Sequence, residues 1–199
     1  MKKILKNKKR FIAVFLLCLV TVGLTVALAM VNTDPLTNSF SIGEIDTEIY
    51  EDDVTATDGV INKEPQVKNN SNNPALVRVR MVISPSNMIT VSNDGQNSNA
   101  NLIINSKYWT YNEEDGYYYY NTVLKGNEFT EPLFTQIKGI INSDNKFIDG
   151  KDAFDVTIYQ ESIQTSAVEN GVTIDAYENN QYNQGIAEDV WKIYNSLSE

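Results

Sequence analysis

The hydrophobic pattern changes character twice along the chain. It begins as an unbroken apolar run from Phe11 to Val31 without a charged residue. It then breaks into short segments in which apolar and polar residues alternate, the period of a strand with one face buried. From Ile186 it ends in a helical repeat. Ala75 to Ser84 is the clearest strand. Val77, Val79, Met81 and Ile83 fall on one face, and Arg78, Arg80 and Val82 on the other. The two arginines are expected as solvated strand-face charges that pair with acidic side chains. Phe154 to Gln164 alternates in the same way, with Phe154, Val156 and Ile158 together. Tyr108–Tyr111 and Tyr117–Val123 flank Asn112–Gly116, where Asp-Gly is a hairpin turn signal. Two aromatic strands joined by an acidic turn are therefore predicted.

In that hairpin Tyr117 and Tyr119 face one way, and Tyr118 and Tyr120 the other. One pair is expected in the core and the other as a surface row. With Trp109 these are the candidate surface aromatics. Such a row suits glycan binding or stacking in an assembly, against plain cross-strand packing. Weaker strand patterns occupy Ser39–Tyr50, interrupted by Gly43, then Leu102–Ile104, Phe129–Ile137, broken by Pro132, and Val172–Tyr177. Residues 54–63, 64–74, 84–101, 142–152 and 179–184 read as loops and turns, with room for a short element in 84–101. Gly185 precedes the helix predicted over Ile186–Leu197, whose stripe is Ile186, Val190, Ile193, Tyr194 and Leu197. Many short strands, long loops and one terminal helix indicate an all-β antiparallel sandwich.

The first apolar run reads as an export leader. Lys2, Lys3, Lys6, Lys8, Lys9 and Arg10 precede it and hold the amino end in the cytoplasm. Its length is sufficient to span a bilayer, so a permanent anchor competes with a cleaved signal peptide. Ala27 and Ala29 place small residues before a cut at Met30, and no basic stop-transfer cluster follows, which favours cleavage of residues 1–29. Membrane contact is then expected only through the uncleaved signal. Residues 30–199 are expected as a single domain, with 30–45 a strand-like free end.

Cleavage alters the charge. Lys and Arg fall from 16 to 10 while all 26 acidic residues stay, leaving a net charge of −16. Nucleic acid is therefore not an expected partner, since phosphate contacts need clustered basic residues. The only cysteine, Cys18, lies inside the leader, and the chain contains no histidine. Ser-His-Asp, Cys-His and HExxH chemistries are thereby excluded, and no catalytic residue is expected. Acidic loops at Glu51–Asp53, Glu113–Asp115, Asp144–Asp152 and Glu188–Asp189 leave room for a structural calcium ion. None has EF-hand spacing, solvated loops are the plainer reading, and no cofactor is expected. No pair of carboxylates stands out for glycoside hydrolysis.

Four stretches, in order, resemble the TasA/camelysin family of Gram-positive exported proteins. The leader is followed by NTDPLTNSFSIGEIDTEI, in which Thr33, Asp34, Thr37, Asn38, Phe40 and Gly43 match the family pattern. KEPQVKNNSNNPALVRVRM, DGYYYYNTVLKGNEFTEPLF and IYQESIQ are similar to three further family segments. At the cut site the chain departs from the pattern, running from Ala29 into Met30-Val31. The resemblance implies a jelly-roll sandwich, a dedicated signal peptidase and a location outside the cell, at its surface or in biofilm matrix. It further implies self-assembly into fibres, in which the mature N-terminal segment of one subunit completes a sheet of the next. Thr37, Asn38, Phe40, Ile42, Gly43 and Ile45 are the residues of that segment. A monomeric binding module or adhesin is the alternative. The metalloprotease activity implied by the family's second name has no support in a chain without histidine.

Overall fold

The computed structural model describes residues 45–148, 150 and 153–197. The leader, the cleavage residues Ala27, Ala29 and Met30, and Thr37, Asn38, Phe40, Ile42 and Gly43 lie outside the described residues. Ile45, the last residue of the assembly segment, is described and packs against the main core.

Among the described residues the chain is all-β with one helix, at its C-terminal end. Its two ten-residue strands, β5 (Ala75–Ser84) and β11 (Asp155–Gln164), pair antiparallel along their whole length, from Asp155 opposite Ser84 to Gln164 opposite Ala75. The period-2 pattern predicts both strands to within one residue. The aromatic hairpin, β8 (Trp109–Asn112) and β9 (Tyr117–Tyr120), joins β5 through Arg78 opposite Tyr119 and Val79 opposite Tyr118. The resulting sheet has the order β11-β5-β9-β8. A second sheet has the order β2-β3-β10-β7-β6, made of β2 (Thr55–Thr57), β3 (Val60–Asn62), β6 (Val91–Ser92), β7 (Leu102–Ile103) and β10 (Gln136–Lys138). Its β6–β7 ladder is parallel, whereas the other described ladders are antiparallel. β1 (Thr47–Tyr50) pairs with β4 (Gln66–Asn69).

Three segments expected as loops form strands. In 54–63, β2 and β3 close a hairpin over Asp58 (φ 50°) and Gly59 (φ 79°). In 179–184, β14 (Tyr177–Glu178) and β15 (Gln181–Tyr182) close over Asn179 and Asn180, at φ 53° and 62°. Two successive positive φ values give the turn twist that matches flanking strands, and Asn, Asp and Gly adopt them most cheaply. The third is 64–74, where β4 precedes the Asn/Ser turn. Conversely, Phe129–Ile137 is a strand only at its end. Pro132 lacks an N–H to give a ladder, and Phe129 makes one isolated bridge to Lys68.

Two cores flank the first sheet. The larger lies on its inner face and holds Val77, Val79, Trp109, Tyr118, Leu102, Phe134 and Ile137, drawn from both main sheets. The smaller lies on the outer face and joins Leu76 and Ile163 to the helix α1 (Gln184–Leu197) through Val190, Trp191 and Ile193. α1 begins two residues before its predicted start. Asn183 caps it, its Oδ1 accepting from the Ile186 N–H at 3.2 Å, so Gly185 falls inside the first turn. The hairpin β12 (Ser166–Glu169) and β13 (Val172–Asp175) also adds Ala167 to this core.

Candidate functional site

Three features of the first sheet bear on function. The first is its β11 edge. Among the described residues β11 pairs with β5 on one side and has no strand partner on the other. β1 reaches it through side chains of β11 and not through a backbone ladder. Thr47 Oγ1 lies 2.9 Å from both Gln160 Oε1 and Ser162 Oγ, and Gln160 Nε2 donates to the Thr47 carbonyl at 2.9 Å. The first described strand therefore begins beside this edge. A ten-residue strand with one unpaired side offers a row of backbone donors and acceptors to a further strand.

The second feature is a buried charge on the outer face. Glu161 of β11, Arg78 of β5 and Tyr119 of β9 are direct cross-strand neighbours. Arg78 was expected as a solvated charge, but it is only 6% exposed because α1 and the hairpin cover it. Its guanidinium lies 4.2 Å from the Tyr117 ring centroid and 4.4 Å from that of Trp191. Arg78 Nε donates to Glu161 Oε2 at 2.8 Å, Nη2 donates to the same oxygen, and Nη1 donates to the Tyr119 hydroxyl at 3.0 Å. Tyr117 OH donates to Glu161 Oε1 at 2.6 Å, and Tyr119 OH donates to Asp115 Oδ2. Burial opposes the charge on Arg78, but the bonds to Tyr119 and Glu161 outweigh it and hold the guanidinium above its ordinary value. Burial and the Asp115 hydrogen bond push the Tyr119 phenol up to about 12.

The third feature is a cleft of about 550 Å³ between α1 and the β8–β9 hairpin. Leu76, Tyr119 and Trp191 contribute its apolar side, and Glu113, Glu114, Asp115 and Glu188 its charged side.

The candidate surface aromatics divide differently from expectation. Trp109 is 1% exposed, facing the inner core with its Nε1 donating to the Glu131 carbonyl at 2.9 Å. It is not a surface residue, because the segment around Leu133 and Phe134 folds over it. Tyr118 is also buried, with its hydroxyl donating to Asn93 Oδ1 at 2.8 Å. Tyr120 packs beside it, its ring centroid 5.0 Å from that of Trp109. Tyr117 and Tyr119, the opposite pair, are half-buried around Arg78 rather than forming an open row. Trp191 was absent from the predicted stripe, yet it sits between Arg78 and the cleft. Its place one residue after Val190 was the available signal.

Of the acidic stretches, Glu113–Asp115 and Glu188 line the same cleft. Among the described residues no group of three or more His, Cys, Asp or Glu is placed to hold a metal ion. Local partners occupy several of these carboxylates: Glu51 pairs with Lys63 at 2.8 Å, and Asp52 accepts from Tyr50 at 2.9 Å. Comparisons with family models, with curated proteins and with solved structures return no match to this chain.

Proposed function

We propose that this chain is a secreted, non-catalytic β-sandwich that assembles into fibres at the surface or in the matrix of a Gram-positive cell. Its leader is removed near Ala29 by the dedicated peptidase, and the freed segment from Met30 to Ile45 pairs with a neighbouring subunit. This is the reading that the resemblance to the TasA/camelysin family implies. The observation that carries it is the side of β11 that has no strand partner among the described residues, beside which β1 begins at Thr47. Strand addition at such an edge supplies a ladder of main-chain hydrogen bonds, and alternate side chains set the register. The donor segment places Phe40 and Ile42 on one strand face, with Gly43 interrupting the alternation before Ile45.

The test is deletion of Met30–Ser41 from the mature protein, followed by electron microscopy and a size distribution in solution. The expected result is loss of filaments with the fold retained. Filaments of undiminished length overturn strand donation. A synthetic peptide of residues 30–45, added in excess to the intact protein, is expected to cap the growing end and shorten the fibres. N-terminal sequencing of secreted protein locates the cut, and retention of Met1 overturns the cleaved leader.

A further inference from the structure

We propose that the cleft between α1 and the β8–β9 hairpin binds a lysine or arginine side chain presented by a peptide partner. Its volume of about 550 Å³ falls within the roughly 300–1,000 Å³ range usual for ligand sites. Its apolar side is aromatic, from Tyr119 and Trp191 over Leu76. Its charged side is acidic at both ends. The hairpin turn brings Glu113, Glu114 and Asp115, and α1 brings Glu188 from across the cleft. Among the described residues the one cation lining it is Lys192, whose Nζ already lies 2.8 Å from Asp189, and Asp115 on the acidic side is paired with the buried Arg78 at 3.8 Å.

Aromatic faces under a rim of negative charge attract an ammonium or guanidinium group in two ways. The ring quadrupole holds the cation, and the carboxylates steer and pair with it. The long apolar stem of lysine or arginine suits the half-buried Tyr119 ring, with its charged head at the rim. An anionic ligand, by contrast, meets four carboxylates. The negative field also shows in Tyr182 on the wall, whose phenol is raised first by burial and then by the charge of Glu188. One layer deeper the fold holds a cation by this same chemistry, since Arg78 lies against Tyr117 and Trp191 with Glu161 as its counter-ion.

The freed N-terminal segment is not this occupant, because the chain carries no Lys or Arg between Met30 and Asn62. The cleft is also separate from the assembly edge. It borders β8, at the opposite side of the β11-β5-β9-β8 sheet from β11. The proposal therefore stands or falls independently of fibre formation.

The test titrates the protein recovered from its host with the peptide acetyl-Gly-Lys-Gly-Lys-Gly-amide, followed by calorimetry and tryptophan fluorescence. The expected result is saturable binding that weakens with salt and falls about tenfold or more when both lysines are Nε-acetylated. The double variant Glu114→Gln, Glu188→Gln is expected to weaken binding by a similar factor. Both residues are exposed, so near-UV circular dichroism is expected to stay unchanged. Equal binding of the acetylated peptide, or of the charge-neutral variant, overturns the proposal. So does the absence of binding at millimolar peptide. Spermidine binding as tightly as the peptide assigns the cleft to free amines instead, and binding of a neutral chitooligosaccharide in place of the peptide assigns it to glycan.

Discussion

The two faces of β5 are equally dry at one end and chemically opposite. On the inner face Val77 and Val79 are each 1% exposed within an aliphatic and aromatic core. On the outer face Leu76 and Arg78 are 2% and 6% exposed, but Arg78 brings a full charge under the helix. The inner face is stabilised by area removed from water, a non-directional effect that tolerates exchange of similar shapes. The outer face is held by a fixed set of partners: Glu161, Tyr119, Tyr117 and Trp191. A buried guanidinium costs desolvation energy that only a complete set of bonds offsets. Equal burial therefore comes with different brittleness, and the polar face fixes where α1 lies over the sheet.

Removing the largest inner side chain is the strongest challenge to this contrast. Trp109→Ala empties a fully buried site and orphans the Glu131 carbonyl, and it is expected to cost about 4 kcal/mol, read as a lower urea midpoint. Arg78→Ala comes next, at about 3 kcal/mol, because the carboxylate of Glu161 is left half-covered without its counter-ion. Arg78→Met sharpens the comparison. It keeps a similar volume without the charge and is expected to recover a good part of that loss. If the methionine variant is as unstable as the alanine variant, the outer face depends on its charge rather than on filled volume.

Alkali probes both faces at once. Tyr118 on the inner face is raised mainly by burial, and Tyr119 on the outer face by burial and then its bond to Asp115. A phenol whose folded value exceeds its ordinary 10.0 binds its proton more firmly in the folded state. Its contribution is complete below pH 10.0 and is lost as pH rises through the folded value, about 12 for Tyr119. The urea midpoint is thus expected to fall across that window while tyrosinate absorbance appears late. Ordinary tyrosinate titration with an unchanged midpoint refutes the linkage. The smallest effect is expected at the helix surface. Lys192 and Asp189 form an exposed pair, and Lys192→Ala is expected to leave the midpoint unchanged within error.

A third kind of site ties β4 to the turn after it and to the loop at Leu124 through polar contacts. Asn69 is fully buried, accepting at Oδ1 from the Ser71 N–H and hydroxyl and donating at Nδ2 to the carbonyls of Asn73 and Leu124. Gly126 passes so close that a Cβ there would lie 2.7 Å from the backbone of Ser71 and Asn72. In the sequence both residues look like ordinary turn chemistry. Their role arises from packing between segments more than fifty residues apart.

Much of the scaffold was legible because it rests on local periodicity. The alternation of Val77, Val79, Met81 and Ile83 fixed which face of β5 turns inward, and Asp115-Gly116 fixed the aromatic hairpin. Short hairpins such as β2–β3 and β14–β15 were missed because three- and two-residue strands carry too little pattern to register. Their turn residues were visible, but the pairing they serve was not.

By itself, the sequence determined the all-β class, the two long strands, the aromatic hairpin and the terminal helix. Each follows from backbone geometry repeated over neighbouring residues. Only the tertiary structure decided which polar residues became buried and which aromatic residues remained partly open. It turned Trp109 inward, drew Arg78 beneath Trp191 and left the outer side of β11 without a partner among the described residues. Those outcomes depend on which elements cover one another across long separations, and cover of that kind leaves no period in the chain.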